Sequence, residues 1–259
     1  MAVLLACAAA GGCARHSREP RQVTIAAAAD LQFALDDLIG DFRRGHPSNN
    51  DDIRIVYGSS GNFCTQIRNQ APFDLFLSAD IEYPRSLVHE GLAVPQSLFT
   101  YAVGRIVVWV PAGSPLDVER LGIGALEAPS VRHVAIANPE HAPYGRAAAA
   151  AMKSLGVYDR VAGKLVLGEN IAQTLQFVQS GAADVGIVAL SLALAPSVRN
   201  QGRYWEVPTA AYPAIEQGGV ILGHARGSRL ALDLRNYLAG PAARERLKQY
   251  GFFLPQDKN

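Results

Sequence analysis

Residues 53–63, I-R-I-V-Y-G-S-S-G-N-F, hold the side chains with the clearest chemical use. An apolar run leads into Gly58-Ser59-Ser60-Gly61, and a helical pattern follows. Small residues let the backbone turn sharply and leave N–H groups exposed at a helix start. Those N–H groups and two hydroxyls are donors without full charge, a set suited to an anion that is held and later released. Read alone, the same turn is also an ordinary strand-to-helix loop with a serine cap. Three more junctions repeat the pattern. Residues 25–31 (I-A-A-A-A-D-L) run an apolar strand into Asp30. Residues 133–145 (H-V-A-I-A-N-P-E-H-A-P-Y-G) give a strand, a polar loop and a helix start, and residues 165–171 (L-V-L-G-E-N-I) do so again. Four such ends are expected to converge on one ligand.

The elements that must position these junctions alternate. Strand-like runs occupy residues 22–28, 53–57, 73–77, 105–110, 133–137, 164–167 and 184–189. They are short and largely apolar, as strands covered on both faces should be. Between them apolar residues recur at helical spacing: Leu31, Leu35, Leu38, Ile39 and Phe42; Phe63 and Ile67; Ala148, Met152 and Leu155; Ile171, Leu175 and Val178; Leu230, Leu234, Tyr237 and Leu238. Pro241 opens a final helix as its first residue. This alternation predicts an α/β doubly wound architecture with parallel sheets flanked by helices. Residues 101–111 and 212–222 are long for single strands and read as two strands crossing between lobes. The expected division is 22–103 with 216–259 as the first lobe and 104–215 as the second. A single large sheet with an edge hairpin is the alternative.

Composition narrows the classes. The chain has 259 residues, 49% hydrophobic and 18% charged, enough for a large core and against wholesale disorder. A net charge of +1 and the lack of basic runs with interleaved aromatics argue against a nucleic-acid partner. Residues 1–12 are apolar and small, Cys13 follows, and residues 14–21 read as a polar linker. An apolar run ending in small residues before a cysteine predicts a lipoprotein-type signal over residues 1–13. Cys13 is the expected lipid attachment point and Cys7 the alternative. With the signal removed, Cys64 stays as a free thiol, so neither a disulfide framework nor a zinc spacing is expected.

Five segments together resemble the periplasmic molybdate-binding proteins, the substrate-binding components of ABC importers. They are A-A-A-A-D-L-Q-F-A-L from Ala26, Y-G-S-S-G-N from Tyr57, A-P-F-D-L-F-L-S-A-D from Ala71, A-N-P-E-H-A-P-Y-G from Ala137 and G-I-V-A-L from Gly186. The resemblance spans roughly residues 22–255. It implies a two-lobed periplasmic binding protein fold of the second type, joined by two crossing strands and acting as a monomer outside the cytoplasm. The function it implies is delivery of molybdate, and of tungstate, to an ABC permease, with no cofactor and no catalysis. It also implies an oxyanion site at Ala29 and Asp30, at Ser60, at the backbone of Tyr144 and at the backbone of Ile171, with Ser59 and Asn170 beside it. At the first family position Ala29 and Asp30 stand where a serine is usual, and Ala189 stands where some members have a tyrosine.

A fully deprotonated dianion needs donors only, and neutral donors at helix N-termini supply them without tight ion pairs. Asp30 fits this poorly. It either caps the helix that starts at Leu31 or accepts a hydrogen bond from a protonated ligand such as hydrogen phosphate. Asn170 is expected to cap its helix, Asp74 and Asp80 to fix strand and helix ends, and His141 to be structural. Two other functions stay open on the residues alone: a binder of phosphate or sulfate, and a phosphate or sulfate ester hydrolase using Ser60 as nucleophile, which would need a base beside that hydroxyl.

Overall fold

A computed structural model of the chain describes residues 21–46 and 51–254. The expected signal segment 1–13, with Cys7 and Cys13, and residues 14–20 of the linker lie outside the described residues. The strands are β1 Arg21–Ala28, β2 Asp51–Gly58, β3 Leu75–Ser78, β4 Phe99–Gly104, β5 Ile106–Pro111, β6 Val134–Ala137, β7 Leu165–Gly168, β8 Val185–Ala189, β9 Gly202–Glu206 and β10 Ile215–Ile221. The helices are α1 Gln32–Gly45, α2 Ser60–Arg68, α3 Glu82–His89, α4 Val118–Leu121, α5 Pro143–Ser154, α6 Tyr158–Val161, α7 Ile171–Gln179, α8 Leu190–Ala193, α9 Arg229–Leu238 and α10 Pro241–Gln249. They build two lobes, one around a sheet of order β2-β1-β3-β10-β4 and one around a sheet of order β7-β6-β8-β5-β9.

The two sheets share one plan. β1 pairs in parallel with β2 and β3, and β6 pairs in parallel with β7 and β8. In each, successive connections diverge from the middle strand, so a crevice opens beyond the carboxyl ends of β1 and β6. The helices cover the sheets with the apolar faces read from the sequence. Leu35, Leu38, Ile39 and Phe42 of α1, Met152 of α5, Leu175 and Val178 of α7 and Leu230, Leu234 and Leu238 of α9 are all buried.

Three features differ from the expectation. The sheets are mixed: β10 runs antiparallel to β3 and β4, and β5 antiparallel to β8 and β9. β5 enters the second sheet from the first lobe and β10 enters the first sheet from the second lobe, so each runs against the strands that end at the crevice. Residues 101–111 are two strands in different sheets, β4 and β5, divided at Arg105. The second passage between lobes is not a strand, because β10 begins only at Ile215 and residues 207–214 are irregular around the 3-10 turn Thr209–Ala211. Pro208 and Pro213 have no N–H to give a ladder there. Arg105 clamps the first passage: its guanidinium donates to Gly251 O at 3.0 Å and Glu206 at 2.9 Å, and lies 4.3 Å from the Phe253 ring centroid.

Candidate functional site

The four junctions sit where the two crevices face each other. Ser59 is the extended N-cap of α2 and Ser60 its first residue, both buried. Ser60 Oγ accepts the Ala79 N–H at 2.9 Å, so its own hydrogen is left to donate. Pro143 opens α5, with Tyr144 and Gly145 behind it. Asn170 caps α7 as expected: its Oδ1 accepts the N–H groups of Ala172 and Gln173, both at 3.0 Å. The side-chain oxygen is spent on the cap, and Ile171 supplies first-turn backbone. First-turn N–H groups of α2, α5 and α7 lack acceptors within their helices and carry the positive ends of the helix dipoles. The start of α7, in the second lobe, packs on the 3-10 turn Ala29–Leu31 of the first.

The cleft is closed. Gly61 N–H donates to His141 O at 2.9 Å, and Ser59 Oγ lies 3.0 Å from His141 Nδ1. Asn62 hydrogen-bonds Glu169, which stands 3.6 Å from His141 Nε2. Arg146 bridges to Asp80 at 2.7 Å and to the Tyr83 hydroxyl at 3.2 Å. Asp80 also accepts the Glu82 N–H at 3.0 Å, so it fixes the start of α3 as expected and joins the clasp as well. Ion pairs this exposed contribute about 0–1 kcal/mol each, which keeps the clasp reversible.

Asp30 is not a helix cap. A 3-10 turn precedes α1, no cap bond forms at either start, and the carboxylate points inward with 1% exposure. Its Oδ2 accepts the Tyr144 hydroxyl at 2.9 Å and the Gln217 amide at 2.6 Å, while Ser191 donates to its carbonyl at 2.8 Å. Oδ1 has no partner, and neither has Gln217 Oε1. Burial pushes the Asp30 carboxyl up to about 7 against the opposing pull of the Gln217 and Tyr144 hydrogen bonds. Burial, then the Asp30 charge, pushes the Tyr144 phenol well above its ordinary value. The Tyr144 hydroxyl is thus engaged by Asp30 of the opposite lobe, while the resemblance implies a role for its backbone.

Among the described residues no side-chain base is hydrogen-bonded to Ser60, whose oxygen accepts a backbone N–H. The serine next to a histidine is Ser59, and that contact bridges the lobes. Among the described residues no cluster of His, Cys, Asp and Glu could hold a metal ion, and no helix is long and apolar enough to cross a membrane.

Residues 23–253 match the family described as bacterial extracellular solute-binding protein. The chain belongs to that family. The molybdate-binding protein ModA of Azotobacter vinelandii is 38% identical over 253 residues, 97% of this chain and 94% of that one. ModA of Rhodobacter capsulatus is 40% identical over 200 residues, 77% of each chain. The solved structure of the Azotobacter vinelandii periplasmic molybdate-binding protein aligns with a TM-score of 0.83 at 32% identity, covering 90% of this chain and all of that one. The sulfate-binding protein SubI of Mycobacterium tuberculosis shares the fold, with a TM-score of 0.74 at 16% identity over 91% of this chain and 88% of that one. The fold by itself therefore does not choose the anion.

Sequence reasoning missed four residues of this solute-binding protein's cleft: Gln217, Ser191, Arg146 and Tyr83. Gln217 had a signal, as a polar residue beside the Gly218-Gly219 pair in an apolar strand. The β10–β4 register shifts there, between Gln217 and Gly218, and the bulge aims the amide inward. The other three carry no local signal.

Proposed function

We propose that this protein captures molybdate, and tungstate with it, between its two lobes and delivers it to an ABC permease. The observation that carries the reading is the approach of three helix N-termini from both lobes to one closed cleft without a lysine or arginine at the Asp30–Tyr144 centre. Molybdate over another tetrahedral oxyanion is supported by the relatives above that carry its name. The protein acts as a monomer outside the cytoplasm, held to the membrane by a lipid on Cys13 or Cys7. It binds and releases; it uses no cofactor and turns nothing over. The oxyanion is held by the Ser60 hydroxyl and by backbone at Ala29, Asp30, Tyr144 and Ile171.

Thermal unfolding with molybdate, tungstate, sulfate and phosphate tests this. A ligand at about a hundred times its Kd adds about 2.7 kcal/mol of stability. The expected result is a rise in Tm with molybdate and tungstate alone. A rise with phosphate alone moves the protein to another nutrient, and no rise with any anion removes the oxyanion reading. Ser60→Ala is expected to weaken molybdate binding by about 1–3 kcal/mol, the loss of one hydrogen bond to a charged group. The variant also strands the Ala79 N–H, so its ligand-free stability is read in parallel. Unchanged affinity by titration calorimetry would take Ser60 out of the site.

A further inference from the structure

Resting on the molybdate reading above, we propose that Asp30 is a proton co-ligand: the cleft closes on the dianion with a proton on Asp30 Oδ1, so each anion is captured with one proton from solvent.

The hydrogen bonds fix where the proton goes. Asp30 Oδ2 already accepts two donors, the Tyr144 hydroxyl and the Gln217 amide. A carboxylic acid in this position therefore keeps its hydrogen on Oδ1, the atom left without a partner. Gln217 Oε1 is the other partnerless acceptor, and its amide nitrogen is already bonded to Oδ2. An acid and an amide joined at one edge are completed by one O–H to the free carbonyl. A proton turns the orphaned Oδ1 into a donor, and the orphaned acceptor Gln217 Oε1 belongs to the side chain already bonded to the same carboxyl. An ionised Asp30 leaves both unmet, and it places a third negative charge beside a buried dianion.

Among the described residues no cation is paired with that charge. Facing Asp30 from β4 is the Tyr101 phenol, which donates to Ser78 O, and from α5 the Tyr144 phenol. Arg146 of α5 turns to Asp80, and Lys153 lies over the Tyr158 ring. α7 and α8 carry no charged side chain. The acids of α1 face elsewhere, Asp36 to Tyr57, Asp37 to Tyr250 and Asp41 to Arg246, while its Arg43 and Arg44 bond Ile53 O and Asp41. Glu216 of β10 has its own contact, Arg105 is held by Glu206, and His141 lies 3.6 Å from Glu169 of its own lobe.

Closure creates this environment, because Tyr144 comes from the second lobe and Asp30 and Gln217 from the first. With the lobes apart Asp30 returns to water and to an ordinary carboxyl pKa near 4. The sign follows. A group whose pKa is higher in the closed form favours closure at low pH, and the advantage disappears as pH rises through the closed-state value, about 7 without ligand.

Titration calorimetry of the whole protein with sodium molybdate, at pH 6.5 in buffers of different ionisation enthalpy, counts the protons. The expected uptake is close to one per molybdate, with affinity falling about tenfold per pH unit from pH 5.5 to 7. Asp30→Asn is expected to bind molybdate with no uptake and a flat pH profile. Binding by the unaltered protein without uptake overturns the proposal and leaves molybdate capture standing. Uptake that persists in Asp30→Asn places the proton on another group and also overturns it. Absence of any molybdate binding is instead the failure of the functional reading. If Asp30→Asn does not fold, infrared difference spectra of the unaltered protein decide: a protonated-carboxyl band gained with molybdate is expected, and its absence is a refutation.

Discussion

Replacing Gly61 with alanine is expected to leave the protein folded and to weaken molybdate binding about 10- to 100-fold. Gly61 lies in the first turn of α2, where alanine is the better helix residue by about 1 kcal/mol. A Cβ there would lie 2.7 Å from His141 O, 2.9 Å from His141 Cα and 2.9 Å from the Tyr83 hydroxyl. Tyr83 belongs to the same lobe and its far end can swing. The His141 contacts are backbone of the opposite lobe and exist only when the cleft is shut. The methyl group is therefore a wedge that acts on closure and not on folding. Crowding of this kind costs about 1–3 kcal/mol, and 1.4 kcal/mol is tenfold in affinity. Calorimetry with molybdate reads the loss, and small-angle scattering reads whether the ligand still compacts the molecule. Full affinity with normal compaction would mean that the ligand-bound lobes do not meet at Gly61 and His141.

Gly145→Ala is expected to act on the fold itself, lowering stability by about 3 kcal/mol. Its Cβ would collide with the Ala137 carbonyl and come within 2.7 Å of Ala137 C and 2.9 Å of Asn138 C. All three atoms are main chain at the carboxyl end of β6, so no side chain can move aside. The first turn of α5 must lift off the sheet, taking Tyr144 away from Asp30. In a chain of this size that is a fall in Tm of roughly 6–12 °C, with molybdate binding weakened in parallel. Gly163→Ala is the control, since nothing lies within 4 Å of a Cβ there. Equal Tm values for the two variants would refute the packing account.

The parts of this molecule legible in the sequence were those written locally. Each predicted strand-to-turn-to-helix junction is present, because small residues, a cap or an N1 proline, and apolar spacing all lie within a few positions of one another. Asn170 declared its cap in the same way. β9 was not legible: G-R-Y-W-E is an edge strand, half-exposed along most of its length, so it shows no buried alternation. The antiparallel joins were missed because pairing direction depends on which lobe a strand returns from. The cap reading of Asp30 failed for a similar reason. Its neighbours suggest a cap, but its partners lie 114 and 187 residues away.

The donors at the starts of α2, α5 and α7 belong to the main chain, and few substitutions can erase them. A lineage could replace most residues of these loops and keep the capture device, provided the helices still begin at the same places. Selection then falls on Pro143, Gly145 and Asn170, which fix the starts of α5 and α7, and on Gly61, which lets the lobes meet over α2. Asp30 and Ser60 are left as the two adjustable side chains. A change of preferred nutrient is thus a matter of one or two codons laid over an inherited frame.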